Sequence, residues 1–234
     1  MIDLNDYFSG GYFLLRADKP GWSQLKTDLL PEKLVSMSRC ICPRLSVHWG
    51  WNLGNREAAL KFGIPETKLD EFIKWCSGDY RTDLDVMSTF YSTDSARRFV
   101  KRFDLNITDL YLIGAGLPKE LEEANWRIKA DGIVEGVEKQ IEQHLTLETS
   151  GTILGFDVTS YAHHDFDCSW FCNYLHQDVF DLYGIRPNQF GLIETNVEAK
   201  TVYNWINDDD INRTRAESQL YDFWLLVSYP LEGI

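Results

Sequence analysis

Positive charge is scarce in the second half of this 234-residue chain. Residues 104–234 carry 8 Lys and Arg against 23 Asp and Glu, a net of −15, whereas residues 1–103 hold 15 against 13, a net of +2. The formal total is −13. A field of that sign repels phosphate backbones, so no nucleic-acid partner is expected. Long apolar runs are also missing: nothing approaches the roughly 20 residues that span a bilayer, so no membrane crossing is expected. Cysteine is sparse and odd in number, at positions 40, 42, 76, 168 and 172, which argues against a disulfide framework and for free thiols in a reducing compartment. The opening MIDLNDYFSGG has neither the basic nor the apolar region of a signal peptide, and cytoplasmic residence is the expectation. Neither GxSxG, GxxxxGK nor HExxH occurs, and GAGLP at 114–118 lacks the GxGxxG spacing. No cofactor is expected.

What is present is a globular composition, with 44% hydrophobic and 14% aromatic residues. That length builds a sizeable core, as one domain over 1–234 or as two closely packed lobes meeting near residues 104–130, where the charge changes. Eight tryptophans exceed the needs of a core, so one or two are expected in a binding surface.

Strand patterns occur at 11–15 (GYFLL), 45–49 (LSVHW, with His48 in an apolar pattern), 85–91, 107–113, 152–161 and 222–228. Gly114 and Gly116 read as the end of the fourth of these. Helical patterns are clearer. In 67–76, Thr67 is placed to cap, and Leu69, Phe72, Ile73 and Cys76 form one buried face. A helix after Thr93 turns Phe99 and Phe103 inward and Arg97, Arg98, Lys101 and Arg102 to solvent. Over 132–149 a helical stripe (Val134, Val137, Ile141, Leu145) gives way to the alternating HLTLET. Residues 168–183 read as a helix with Phe171, Cys172, Leu175, Val179, Leu182 and Tyr183 inward and Gly184 as its C-terminal cap. Thr195 and Glu198 form a capping box ahead of Ala199, Val202, Tyr203 and Ile206. Strands and helices interleave, which predicts an α+β (or α/β) fold with a mixed sheet flanked by helices.

One stretch concentrates chemistry: YAHHDFDCSWFC at 161–172. His163, His164, Asp165 and Asp167 are legitimate ligands for Zn²⁺ or Fe²⁺. Their spacing is poor, because only His163 and Asp167 stand at i and i+4. Cys168 and Cys172 share a helix face but form only one CxxxC pair. A simpler reading makes Asp167 the N-cap of the helix, with His163, His164 and Asp165 an exposed polar loop available to a partner.

The segment GFDVTSYAHHDFDCSWFCNYL, followed by DLYGIRPNQFGLIETNVEA, resembles bacterial immunity proteins of polymorphic or contact-dependent toxin systems. The positions carrying the resemblance are Gly155, Asp157, Ser169, Trp170, Cys172, Asn173, Asn188, Gly191, Leu192 and Ile193, within about residues 152–200. The resemblance implies a non-catalytic inhibitor, acidic because its toxin is basic. Charge and resemblance together predict an acidic protein-binding protein whose partner is a basic protein, a cognate toxin. The expected contact residues are His163, His164, Asp165, Asp167, Trp170 and Asn173, with Asp208, Asp209 and Asp210 as steering charges. The rival reading is a metal-dependent hydrolase using His163, His164 and Asp167.

Overall fold

The computed structural model describes residues 2–17, 29, 31, 33–42, 56–85, 89–123, 134–162 and 165–232. The expected strand at 45–49, with His48, lies outside them, as do His163 and His164. Among the described residues the chain forms five strands: β1 (Tyr7–Arg16), β2 (Leu110–Pro118), β3 (Thr152–Ala162), β4 (Asp165–Ser169) and β5 (Tyr221–Tyr229). Eight α-helices accompany them: α1 (Arg56–Phe62), α2 (Leu69–Cys76), α3 (Thr93–Arg102), α4 (Lys119–Glu123), α5 (Gly136–Glu142), α6 (Leu175–Tyr183), α7 (Asn196–Ile206) and α8 (Asp209–Thr214). The protein is therefore α+β, as its pattern predicts. The strands are hydrogen-bonded in the order β1-β2-β5-β3-β4, and the β1/β2 and β3/β4 pairs are antiparallel. No helix among the described residues is long and apolar enough to cross a membrane.

The chain divides into two compact units: residues 1–16, 44–152 and 228–234 in the first, 17–43 and 153–227 in the second. In the first, β2 runs through the expected stop at GAGLP. Gly114 and Gly116 stay in the strand because Tyr7, Tyr12, Leu147 and Tyr229 pack where their side chains would be. An aromatic knot joins α2 to α3: Trp75 lies 5.2 Å from Phe99, and Phe72 lies 5.4 Å from Phe103 in an edge-on contact. Trp75, rather than Ile73, completes the buried face of α2. Thr67 does not cap that helix; it sits in a 3₁₀ turn that starts after Pro65. Ser92 caps α3 in a reciprocal box with Ser95. The basic run of α3 is ion-paired at the surface, Arg98 to Asp83 at 2.9 Å and Arg102 to Glu71 at 3.0 Å. In α5, Val137 and Ile141 are buried but Leu145 is exposed, because the helix ends before it and Thr146 instead bridges Phe8.

The second unit carries the site. β3 and β5 are buried along most of their length, Tyr221 to Val227 without interruption. Helix α7 begins as expected: Glu198 N donates to Thr195 Oγ1 at 3.2 Å and Thr195 N to Glu198 Oε2 at 3.2 Å. Its buried residues are Ala199, Val202 and Ile206, with Tyr203 half-buried. Thr195→Ala is expected to cost about 1 kcal/mol through loss of this cap. A urea midpoint equal to the wild type would show the cap to be redundant.

Candidate functional site

The 165–169 segment is strand, not a helix start. Asp-Phe-Asp-Cys-Ser pairs antiparallel with β3, Tyr161 opposite Phe166 and Ala162 opposite Asp165. Asp167 therefore caps nothing, and α6 begins only at Leu175. Between them Asn173 and Tyr174 take left-handed φ values of 53° and 62°, which break the helix that the apolar stripe suggests.

These shifts relocate the expected contact residues. Asp165 is buried rather than looped out, 3.1 Å from Arg39, and its Oδ1 accepts from Phe166 N at 2.8 Å. Trp170 has no exposed surface and packs against Phe171 and the buried ring of His176, so it cannot anchor a partner. Burial holds the His176 pKa down to about 4, against a smaller opposing effect of Asp178. Asn173 is exposed and donates to Glu217 at 2.7 Å. Asp208, Asp209 and Asp210 are all exposed at the start of α8, where Asp208 accepts from Asp210 N at 3.1 Å and Asp210 pairs with Arg213. Carboxylates there suit the positive end of a helix as well as a partner.

Two constellations were not legible from local pattern. The first centres on Asp157 of β3, which has no exposed surface. Its Oδ2 accepts from Ser36 Oγ and from Met37 N, both at 2.7 Å, and its Oδ1 from Ser169 Oγ at 3.3 Å. Burial raises its pKa to about 6, although these donors pull it down. Asp157 thereby pins the 34–42 segment, which Val35 N also ties to Phe190 O at 2.9 Å and Arg39 to Asp165.

The second constellation is a set of sulfurs that this segment delivers to β4. Cys40 Sγ, Cys168 Sγ and an Asp167 carboxylate oxygen all lie within 4.8 Å of one another. Cys172 stands beside this trio, its Sγ accepting from Ser169 N at 3.4 Å, and interacts electrostatically with both thiols. Thiol hydrogen bonds from Cys168 and then Cys172 favour the Cys40 thiolate and lower its pKa. The same contacts, with Cys172 first, and burial push Cys168 up. For Cys172 the bond to Cys168 pulls downward, but the bond to Cys40 and burial outweigh it and set its pKa at about 11. Cys42 turns the other way, its thiol donating to Leu34 O at 2.9 Å. Asp167, the carboxylate of the hydrolase reading, thus keeps company with thiols.

The outer face of the unit differs from expectation at the end of α6. Every residue from Asp181 to Gly184 is exposed. Leu182 (62%) and Tyr183 (47%), expected inward, project to solvent because the burial is carried by Leu175, His176 and Val179 alone. Asp178 lies on the same helix and pairs with Arg215. No protein-family model, curated protein or solved structure matches this chain.

Proposed function

We propose that the chain is a non-catalytic, acidic protein-binding protein that meets a basic partner, as an immunity protein meets its toxin. The observation that carries this reading is the last turn of α6. Two large apolar side chains, Leu182 and Tyr183, stand exposed beside Asp181 on a chain of net charge −13. An apolar anchor beside a carboxylate, on a chain of this charge, fits a partner whose own contact surface is lined by Lys and Arg. The resemblance over 152–200 supports the reading in its own way: Gly155, Asp157, Asn188 and Gly191 serve backbone turns and hydrogen bonds, which is scaffolding. Cytoplasmic residence goes with this reading, and the five free thiols are in keeping with it.

The experiment pairs the purified chain with the protein encoded beside its gene. A basic neighbour is expected to form a one-to-one complex by calorimetry, with an association rate that falls steeply with salt. Leu182→Asp should weaken the complex at least ~10-fold, since it removes an anchor. Changing Asp208, Asp209 and Asp210 together to Asn keeps the α8 cap but should slow association ~10-fold, the low end of what steering supplies, and flatten its salt dependence. An unchanged rate removes that cluster from the interface. A neighbour that does not bind, or a complex indifferent to both salt and Leu182→Asp, sinks the reading.

A further inference from the structure

Cys40 and Cys168 converge with the Asp167 carboxylate, Cys172 stands beside them, and the surroundings are built to hold them there. Cys40 arrives on a turn closed by Ile41 N and Cys42 N donating to Ser38 O at 3.1 and 3.0 Å. Ser38 Oγ donates onward to the backbone oxygen of Asp167, which fastens that turn to β4 beside Cys168. Cys168 N donates to the buried Ser160 Oγ at 2.8 Å. Cys172 Sγ accepts from Ser169 N at 3.4 Å, an amide placed to support a thiolate. Gln219 donates to Asp167 Oδ2 at 2.9 Å and fixes the carboxylate while its other oxygen remains available. Cys172 and Asp167 are thus oriented by hydrogen bonds to their side chains, and Cys40 and Cys168 by hydrogen bonds to the backbone that carries them, much as outer partners orient the ligands of a metal.

We propose that Cys40, Cys168 and Asp167 bind one zinc ion, with Cys172 turning in from beside them as the fourth donor, and that the ion clamps the 38–42 turn to β4. Tetrahedral Zn²⁺ takes sulfur at about 2.3 Å, which places ligand sulfurs roughly 3.8 Å apart. Cys40, Cys168 and Asp167, already within 4.8 Å of one another, reach that spacing by moving less than about 1 Å each, and Cys172 joins them by a larger turn of its side chain. Three thiolates select a thiophilic metal over Mg²⁺ or Ca²⁺, and a carboxylate as fourth donor suits Zn²⁺. Four protein donors close the site, so its role is structural. Three thiolates and a carboxylate side by side repel one another; a dication relieves that repulsion, and the adjacent Arg39 offsets part of the remaining negative charge. Cys40 is exposed, which gives the ion a way in.

The test strips and reduces the full-length chain, then titrates it with Co²⁺ followed by Zn²⁺. Expected are one Co²⁺ per chain, a thiolate-to-cobalt charge-transfer band, tetrahedral visible bands, and displacement of all three by one equivalent of Zn²⁺. Zn²⁺ should also shield three of the five thiols from a thiol reagent, a measurement that needs no variant. Cys172→Ser should lower the charge-transfer intensity by about a third and the affinity at least 100-fold. Asp167→Asn should keep the intensity but lose at least 10-fold in affinity. Cys76→Ala, in the first unit, should change nothing. Absence of a cobalt band, shielding of no thiols, a preference for iron or copper, or a Cys168–Cys172 disulfide formed in preference to metal binding each overturns the proposal. An Asp167→Asn chain with undiminished affinity overturns the four-donor set.

Discussion

Asp157→Ala is expected to cost about 4 kcal/mol of stability and to free the 34–42 segment. The carboxylate is completely buried, and its oxygens accept from Ser36 Oγ, Met37 N and Ser169 Oγ. Alanine leaves all three donors inside the protein without an acceptor, and each orphan costs roughly 1–3 kcal/mol. Some relief comes from water entering the gap, which keeps the sum below the maximum. The loss is a large share of the 5–15 kcal/mol typical of a folded chain. Urea unfolding measures it, and hydrogen exchange at Met37 and Val35 reads the release of the segment. A cost under about 1 kcal/mol would mean that the network is not holding it.

Asp157→Asn separates the charge from the hydrogen bonds. The folded-state pKa of Asp157, about 6, lies above its ordinary 3.8, so the native state binds this proton more readily than the unfolded chain. Its contribution is therefore full below about pH 4 and lost as pH rises through 6, by about 3 kcal/mol in all. His176 has the opposite sign. Its folded-state pKa of about 4 lies below the ordinary 6.5, so the unfolded chain takes the proton first and stability falls as pH drops from 6.5 to 4. The two windows overlap and nearly cancel. Midpoints from pH 4 to 7 should then be level for the wild type as far as these two groups decide. They should fall on acidification for Asp157→Asn and rise for His176→Phe. Parallel profiles for all three proteins would disprove the pairing.

What could be read from the sequence was what short-range physics decides. GYFLL is a short apolar run and is strand; Thr195 and Glu198 stand three apart and cap α7. The segment 168–183 misled because its apolar spacing fits a helix, while Asn173 and Tyr174 adopt left-handed backbone that only the folded surroundings impose. Burial of one aspartate among 36 acidic residues has no local signature, so Asp157 was visible only as part of a resemblance. The thiol cluster needs Cys40 to meet Cys168 across more than a hundred residues, a distance at which side-chain periodicity carries no information. The exposure of Leu182 and Tyr183 was hidden for a related reason. Their phase on α6 is inward, but nothing in the sequence says how far the core beneath the helix extends.

Gly155→Ala is the other change with a large expected cost, about 3 kcal/mol or more. Gly155 has φ of 137°, a conformation L-residues rarely adopt, and a Cβ there would lie 2.7 Å from Ile193 O, 2.9 Å from Leu192 Cβ and 3.0 Å from Asn188 Nδ2. Backbone strain alone accounts for roughly 1–3 kcal/mol, and forcing the neighbours apart adds a similar amount. The neighbours cannot simply yield. Phe156 and Ile193 exchange both backbone hydrogen bonds, at 2.8 and 2.9 Å, and Asn188 Nδ2 donates to Leu154 O at 2.7 Å. Asn188 Oδ1 in turn accepts from Phe190 N and Leu192 N, so the 188–193 turn moves as one piece or not at all. Gly184→Ala is the comparison: φ is 70° there, but nothing lies within 4 Å of the new methyl group, and the cost should stay near 1 kcal/mol. Equal costs at the two positions would show that contact with the turn is irrelevant. Because Phe190 O also holds Val35 N, Gly155→Ala loosens the same segment that Asp157 pins. The double variant Gly155→Ala with Asp157→Ala should therefore lose less stability than the two single losses added together.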